Sequence, residues 1–282
     1  MRRQLPQGPF VLLLAFCGLT SWAAARQPTA HSFTVLIQSR LDVVSEQGPQ
    51  KLDAETRLQY TWRQNGPQRT LTLDSLQVKV SNNGLPMVDS LMNKDKFVTS
   101  DQGRTTELAF DQAPAEVKNL LNDGFRAPLY HFQYDASGNR RHQKVVAGPA
   151  AKSLVSNGMI ANALLFHPFH PGQDAWQSDA EFSMGNGGYA TGKLAYKKLA
   201  GDQYEVRGTL GNPGYKQPET NVSVKDARYV VQGVETFDRQ LQEWVAGRLA
   251  MDVSFKMSLN EKAIGSTKGK MDVTFEALPA PR

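Results

Sequence analysis

The chain has 282 residues, of which 40% are hydrophobic and 21% charged, with a formal net charge of +5 and a single cysteine. That length leaves room for one large all-β domain or two smaller ones, each with a real core. Basic residues are scattered and pair only briefly, as in Arg140-Arg141 and Lys197-Lys198, so the charge excludes a concentrated phosphate-binding patch and nucleic acid as a partner.

Residues 1–25 have the layout of an export signal. Arg2 and Arg3 form a short basic start, residues 11–19 are an unbroken apolar run, and Ala23-Ala24-Ala25 supplies small residues for cleavage near Ala25. The run is shorter than the roughly 20 apolar residues of a membrane-spanning helix. Phe16 precedes Cys17 where a lipid-attachment motif needs a small residue, and the consensus around a twin-arginine signal is absent. The expectation is Sec-type export to the periplasm or the outside medium, with no later stretch long enough for an integral membrane span. Cleavage would remove Cys17, and with it all disulfide and thiol chemistry.

Beyond the signal, apolar and polar residues alternate. Phe33, Val35, Ile37, Leu41 and Val43 share one parity, as do Leu52, Ala54, Leu58, Tyr60 and Trp62 in the next segment. Each set predicts a long half-buried strand, with turns at Gln47-Gly48-Pro49 and Asn65-Gly66-Pro67. In the third strand Leu71 and Leu73 are odd but Leu76, Val78 and Val80 even, which predicts a β-bulge near Asp74-Ser75. The pattern weakens through Met92, and a hairpin follows around Asp101-Gln102-Gly103. Residues 114–122 read as a short helix, with Pro114 at its start and Gly124 just beyond. Another hairpin turns at residues 135–139. Residues 150–166 read as a second helix, kinked or broken at Asn157-Gly158.

From Trp176 the alternation resumes through Ala180, Phe182 and Met184, turns at residues 185–188, and continues through Leu194, Tyr196, Tyr204, Val206 and Leu210. Residues 211–220, with Pro213, Gly214 and Pro218, read as a loop. Strands over 222–231 and 233–241 follow. Leu249, Met251, Val253, Phe255, Met257 and Leu259 then alternate cleanly, and Met271, Val273 and Phe275 belong to their hairpin partner. The pentapeptides at 251–255 and 271–275 are alike, a recurrence that a good strand pattern produces by chance. The expected fold is mainly β: two curved antiparallel sheets or half-barrel-like halves, residues 26–171 and 172–282, packed into one shell with one or two short helices in the middle.

Chemical motifs are few. His167 and His170, with His131 or His142 at a distance, form the best candidate metal set. The prolines around them prevent the helix that would align residues three apart, and no cysteine or acidic group completes a ligand set. Asp179 and Glu181 share the polar parity of a strand, where solvated charges are the ordinary occupants. There is no nucleophile elbow, no Ser-x-x-Lys set and no phosphate loop, so no catalytic residue and no cofactor are expected. Asn221-Val222-Ser223 fits a glycosylation sequon, which matters only in a eukaryotic secretory pathway. The candidate ligand-binding residues are the large rings Tyr60, Trp62, Trp176, Phe182, Tyr196 and Trp244, which either line a concave sheet or fill its core.

The segments Gly172-Gln173-Asp174-Ala175-Trp176 and Gly233-Val234-Glu235-Thr236-Phe237-Asp238 resemble uncharacterised secreted bacterial proteins that pair two β-rich halves. The general layout is similar to the half-barrel with covering helices of bacterial lipoprotein carriers of the LolA and LppX type. That resemblance implies a carrier of an apolar or amphiphilic ligand, and no binding residue transfers from it position by position. The expected function is an exported, non-catalytic β-shell that binds a lipid-like ligand or an envelope protein. A cell-surface interaction module and a metal-dependent hydrolase using His167 and His170 are the alternatives. Nothing in the residues sets the oligomeric state.

Overall fold

The computed structural model describes residues 29–46, 48–101, 104–134, 140–156, 169–185, 188–216, 221–241 and 243–278. The expected signal and its cleavage site, the later part of the second helical segment and His167 lie outside these residues.

Three quarters of the described residues are strand, all in one antiparallel sheet of fourteen strands that does not close. The N-terminal strands are β1 (Thr29–Ser45), β2 (Gly48–Asn65), β3 (Gln68–Asn82), β4 (Leu85–Asn93), β5 (Lys96–Asp101) and β6 (Arg104–Ala109), with the hairpin β7 (Tyr130–Tyr134) and β8 (Arg140–Val145). The C-terminal strands are β9 (Ala175–Gly185), β10 (Gly188–Lys198), β11 (Gln203–Lys216), β12 (Val222–Asp238), β13 (Glu243–Leu259) and β14 (Lys262–Ala277). Their spatial order is β6-β5-β4-β3-β2-β1-β14-β13-β12-β11-β10-β9, with β7 also paired to β3. Two separate sheets were one expected form. Instead β1 pairs with β14 from Phe33↔Ala277 to Ser45↔Gly265, so the backbone groups of the two meanders satisfy each other along one continuous ladder.

Alternation places the core. Phe33 and Val35 on β1, Leu58, Tyr60 and Trp62 on β2, and Val273 and Phe275 on β14 turn to one face and are buried, while Arg57, Gln59 and Arg63 turn to the other. The expected bulge is present: Gln59 faces Ser75 but Tyr60 faces Leu73, leaving Asp74 as the extra residue. Leu71, Leu73 and Leu76 consequently all point inward and are fully buried.

A second bulge lies where Thr236 faces Ala246 but Phe237 faces Trp244. It brings Trp244 onto the same face as Leu249, Met251 and Val253 despite the opposite parity.

Residues 211–216 depart from the loop expectation, because β11 runs on to Lys216 and pairs with β12 through Gly214↔Lys225 and Lys216↔Ser223, while residues 217–220 lie outside the described residues. The β11–β12 register is unbroken on either side of Pro213, with Asn212 facing Ala227 and Gly214 facing Lys225, while the β12–β13 register shifts between Lys225 and Arg228, where Asp226 takes a φ of 54°. Residues 222–241 likewise form one strand up to Asp238 rather than two. Met251 directly faces Met271, although the antiparallel run carries the rest of the two similar pentapeptides apart.

The helical middle is short. Helix α1 (Ala115–Leu121) follows Pro114 and continues as a π-turn over Asn122–Arg126. A 3₁₀ turn at Pro149–Ala151 leads into α2 (Lys152–Ser156). Asp123 ties the two pieces together by accepting the Ala150 backbone N–H at 3.0 Å. Leu121, Phe125, Leu129 and Leu154 are buried in the same core as Leu71, Leu73 and Leu76. Gly124 allows the approach, since a Cβ there would stand 2.8 Å from Leu154 Cδ1.

Candidate functional site

The sheet curves strongly enough for strands well apart in its order to touch across the inner face. Arg69 on β3 and Glu243 on β13 are separated by four strand steps, about 19 Å on a flat sheet at the usual spacing. Yet Arg69 Nη1 donates to Glu243 Oε1 in a buried ion pair. Within the C-terminal strands, Tyr196 on β10 lies 5.9 Å from Trp244 on β13, and Phe182 on β9 lies 4.5 Å from Tyr229 on β12, ring centre to ring centre. The inner face is therefore concave.

Two aromatic clusters floor this concavity. The first joins Phe33, Tyr60, Trp62, Tyr130 and Phe132, with Phe33 stacked on Tyr60 at 5.4 Å and Trp62 against Phe132 at 4.7 Å. The second is built around Phe169, which stacks on Phe237 at 3.7 Å and meets Trp176, Tyr204 and Trp244 edge-on at 6.0, 5.8 and 6.2 Å. Trp176 in turn stacks on Tyr196 at 5.0 Å.

All six candidate ligand residues are buried, but they do not form one group. Tyr60 and Trp62 belong to the first cluster and Trp176, Tyr196 and Trp244 to the second, while Phe182 packs on Tyr229. Burial pushes the Tyr229 hydroxyl up to about 12, and it raises those of Tyr60, Tyr130 and Tyr196 as well.

The second cluster also holds polar groups. Glu235 is completely buried on the inner face of β12, opposite Tyr204 on β11 and Gly247 on β13. Neither of its carboxyl oxygens has a hydrogen-bond partner among the described residues. Burial raises its pKa well above the ordinary carboxyl value, which favours the protonated form. Gly247 makes the space: a Cβ at that position would lie 2.2 Å from the Phe275 ring and 3.1 Å from Glu235 Cγ.

Two residues farther along the ladder, the Trp244 indole Nε1 is buried without an acceptor, and Glu243 Oε2 without a donor. Burial pushes the Glu243 carboxyl up to about 7, while Arg69 pulls it back. One sign of Glu235 existed in the sequence, where it stands on the apolar parity of Tyr229, Val231 and Phe237. Arg69 likewise stands on the odd parity of Leu71 and Leu73, but its meeting with Glu243 across the sheet depends on the curvature.

A cleft of about 290 Å³ opens beside this cluster, walled by Phe169, Tyr204, Lys198, Asp174 and Arg239. Arg239 donates to Asp202 at 2.7 Å across its rim. A larger cleft of about 650 Å³ lies over β14, β1, β2, β3 and β4. Its walls carry charges largely matched within the sheet surface, including Arg40 with Asp53 at 3.6 Å and Lys79 with Asp89 at 3.9 Å.

Two of the metal candidates, His170 and His131, have described side chains. His170 is half-buried 3.5 Å from Ser178 Oγ and 5.6 Å from the Trp176 ring, and His131 is exposed on β7. Among the described residues no three His, Cys, Asp or Glu side chains are grouped to hold a metal ion. Asp179 and Glu181 are exposed. Among the described residues no helix is long and apolar enough to cross a membrane.

No protein-family model matches the chain, and neither does any curated protein. Among solved structures, lipovitellin, in a structure titled for its lipid–protein interactions, is similar at 11% identity and a TM-score of 0.42 over 90% of this chain. The chain spans about a quarter of the lipovitellin chain, 26%. OpdQ from Pseudomonas aeruginosa is similar at 5% identity and a TM-score of 0.23, over 89% of this chain and 99% of its own.

Proposed function

We propose that the protein is an exported, non-catalytic β-shell that binds an apolar or amphiphilic ligand against its inner face. The observation that carries this reading is the concave aromatic floor of a sheet that stays unclosed. A sheet of this size that only needed to bury its apolar face could do so by closing or by stacking on a second sheet. This one has curved far enough for β3 to meet β13 while its outer strands remain unpaired on one side. Concave sites lined by aromatic side chains with a few placed polar groups are the usual form of sites for small apolar molecules.

The test is native mass spectrometry, with solvent extraction, of protein purified from its own host. The expected result is a non-covalent adduct of lipid mass that extraction removes. Protein that is uniformly empty and takes up no apolar fluorophore would overturn the reading.

A further inference from the structure

We infer that Glu235 marks the head-group end of this ligand site, and that the site selects an uncharged amphiphile whose head group carries hydroxyls. The inference rests on the shell binding an amphiphile at all. A fully buried carboxyl whose oxygens find no hydrogen bond among the described residues is costly, because burial strips it of hydration. Natural cores fill such positions with apolar residues unless the polar group has a further use.

Glu235 is not alone in this state. Trp244 Nε1 and Glu243 Oε2 are also buried and unpartnered among the described residues. The Tyr196 ring lies 5.9 Å from Trp244 and feels Glu235, while Glu243 lies on the Arg69 side and is felt by Tyr60. The indole offers a donor, Glu243 Oε2 an acceptor, and a protonated Glu235 one of each. Hydroxyl groups, which donate once and accept twice, complement that set.

An anionic head group does not fit. Among the described residues the cation at this end of the interior is Arg69, and its guanidinium is already engaged by Glu243. A fatty-acid carboxylate or a phosphate would therefore lie buried beside two carboxyl groups with its charge uncompensated. The route in is the 290 Å³ cleft. Phe169 and Tyr204 wall it and also belong to the aromatic cluster, and Tyr204 is the cross-strand neighbour of Glu235. Phe169 is thus placed as the stopper between solvent and the buried acid.

The experiment compares 1-monolauroylglycerol with laurate, which share a tail and differ in head group. Both are titrated calorimetrically below micellar concentration at pH 8 into the delipidated full chain. Wild-type protein is expected to hold the glyceride at least about tenfold tighter, a difference of about 1.4 kcal/mol. Glu235→Met, matched in length and apolar, should erase that preference, whereas Glu235→Gln, which retains a donor and an acceptor, should keep most of it. Trp244→Phe should reduce it without abolishing laurate binding. Melting curves confirm that each variant is folded. Equal or tighter laurate binding by wild-type protein, or an undiminished preference in Glu235→Met, overturns the inference while the ligand reading stands. Binding of neither probe overturns both.

Discussion

The two aromatic clusters are built from the same kinds of residue and do different things. Around Tyr60, Trp62, Tyr130 and Phe132 the rings pack on one another beside the leucines of β3 and the helical segment, and their strands carry no buried unpaired acid. Around Phe169, Trp176, Tyr196, Tyr204 and Trp244 the same density of rings encloses Glu235, with the unpartnered groups of Glu243 and Trp244 at its margin. The first cluster converts apolar area into stability, at roughly 1.5–3 kcal/mol for each large side chain fully buried. The second gives up part of that gain by keeping polar groups without partners. An aromatic concavity is thus an ordinary core until something in it is left unsatisfied.

Mutations separate the two. Phe132→Ala in the first cluster is expected to cost about 3–5 kcal/mol in denaturant unfolding, the usual cost of removing a buried ring. Gly247→Ala is expected to cost about 1–3 kcal/mol, because its new methyl group would overlap the Phe275 ring and press on the Glu235 stem. Glu235→Met should act in the opposite direction and stabilise the ligand-free chain by about 1–3 kcal/mol, since it removes a buried group with no partner. A destabilised Glu235→Met would break the comparison, for it would mean that the acid is already well satisfied.

A smaller effect is expected from pH. Burial raises the Glu235 carboxyl above its ordinary 4.5 and the Glu243 carboxyl to about 7. Above pH 4.5 the unfolded chain releases these protons while the folded chain keeps them, so the native state binds more protons and stability falls as pH rises. Their contribution is fully present below about 4.5. For Glu243 it is lost by about 7, and for Glu235 it is still declining toward its own raised value. Urea unfolding at pH 4.5, 6 and 7.5 should give falling midpoints, with a shallower fall in Glu235→Met. The smallest change is expected at the exposed Lys256–Asp226 pair, where Lys256→Ala should alter stability by about 0–1 kcal/mol.

Much of this fold was legible residue by residue. The parity of Phe33, Val35, Leu58, Tyr60 and Trp62 gave strands and their inner face, and the phase change from Leu73 to Leu76 placed the Asp74 bulge. Pro213 misled because a proline can sit within a strand, and which strand its neighbours pair with is not written in the proline itself. Of the site, the six rings were visible as large apolar residues on strand parities. Their division between two clusters was not, since Tyr196 and Trp244 meet only because three strand steps curve them together.

A mainly β, antiparallel chain with one apolar face follows from the residues alone, because the side-chain period of a strand is local and two residues long. Tertiary structure alone decided that β1 and β14 join both meanders into one unclosed sheet, that Arg69 reaches Glu243, and that Glu235 is buried without a partner. Those facts depend on curvature and register accumulated over many strands, and no window of neighbouring residues contains them.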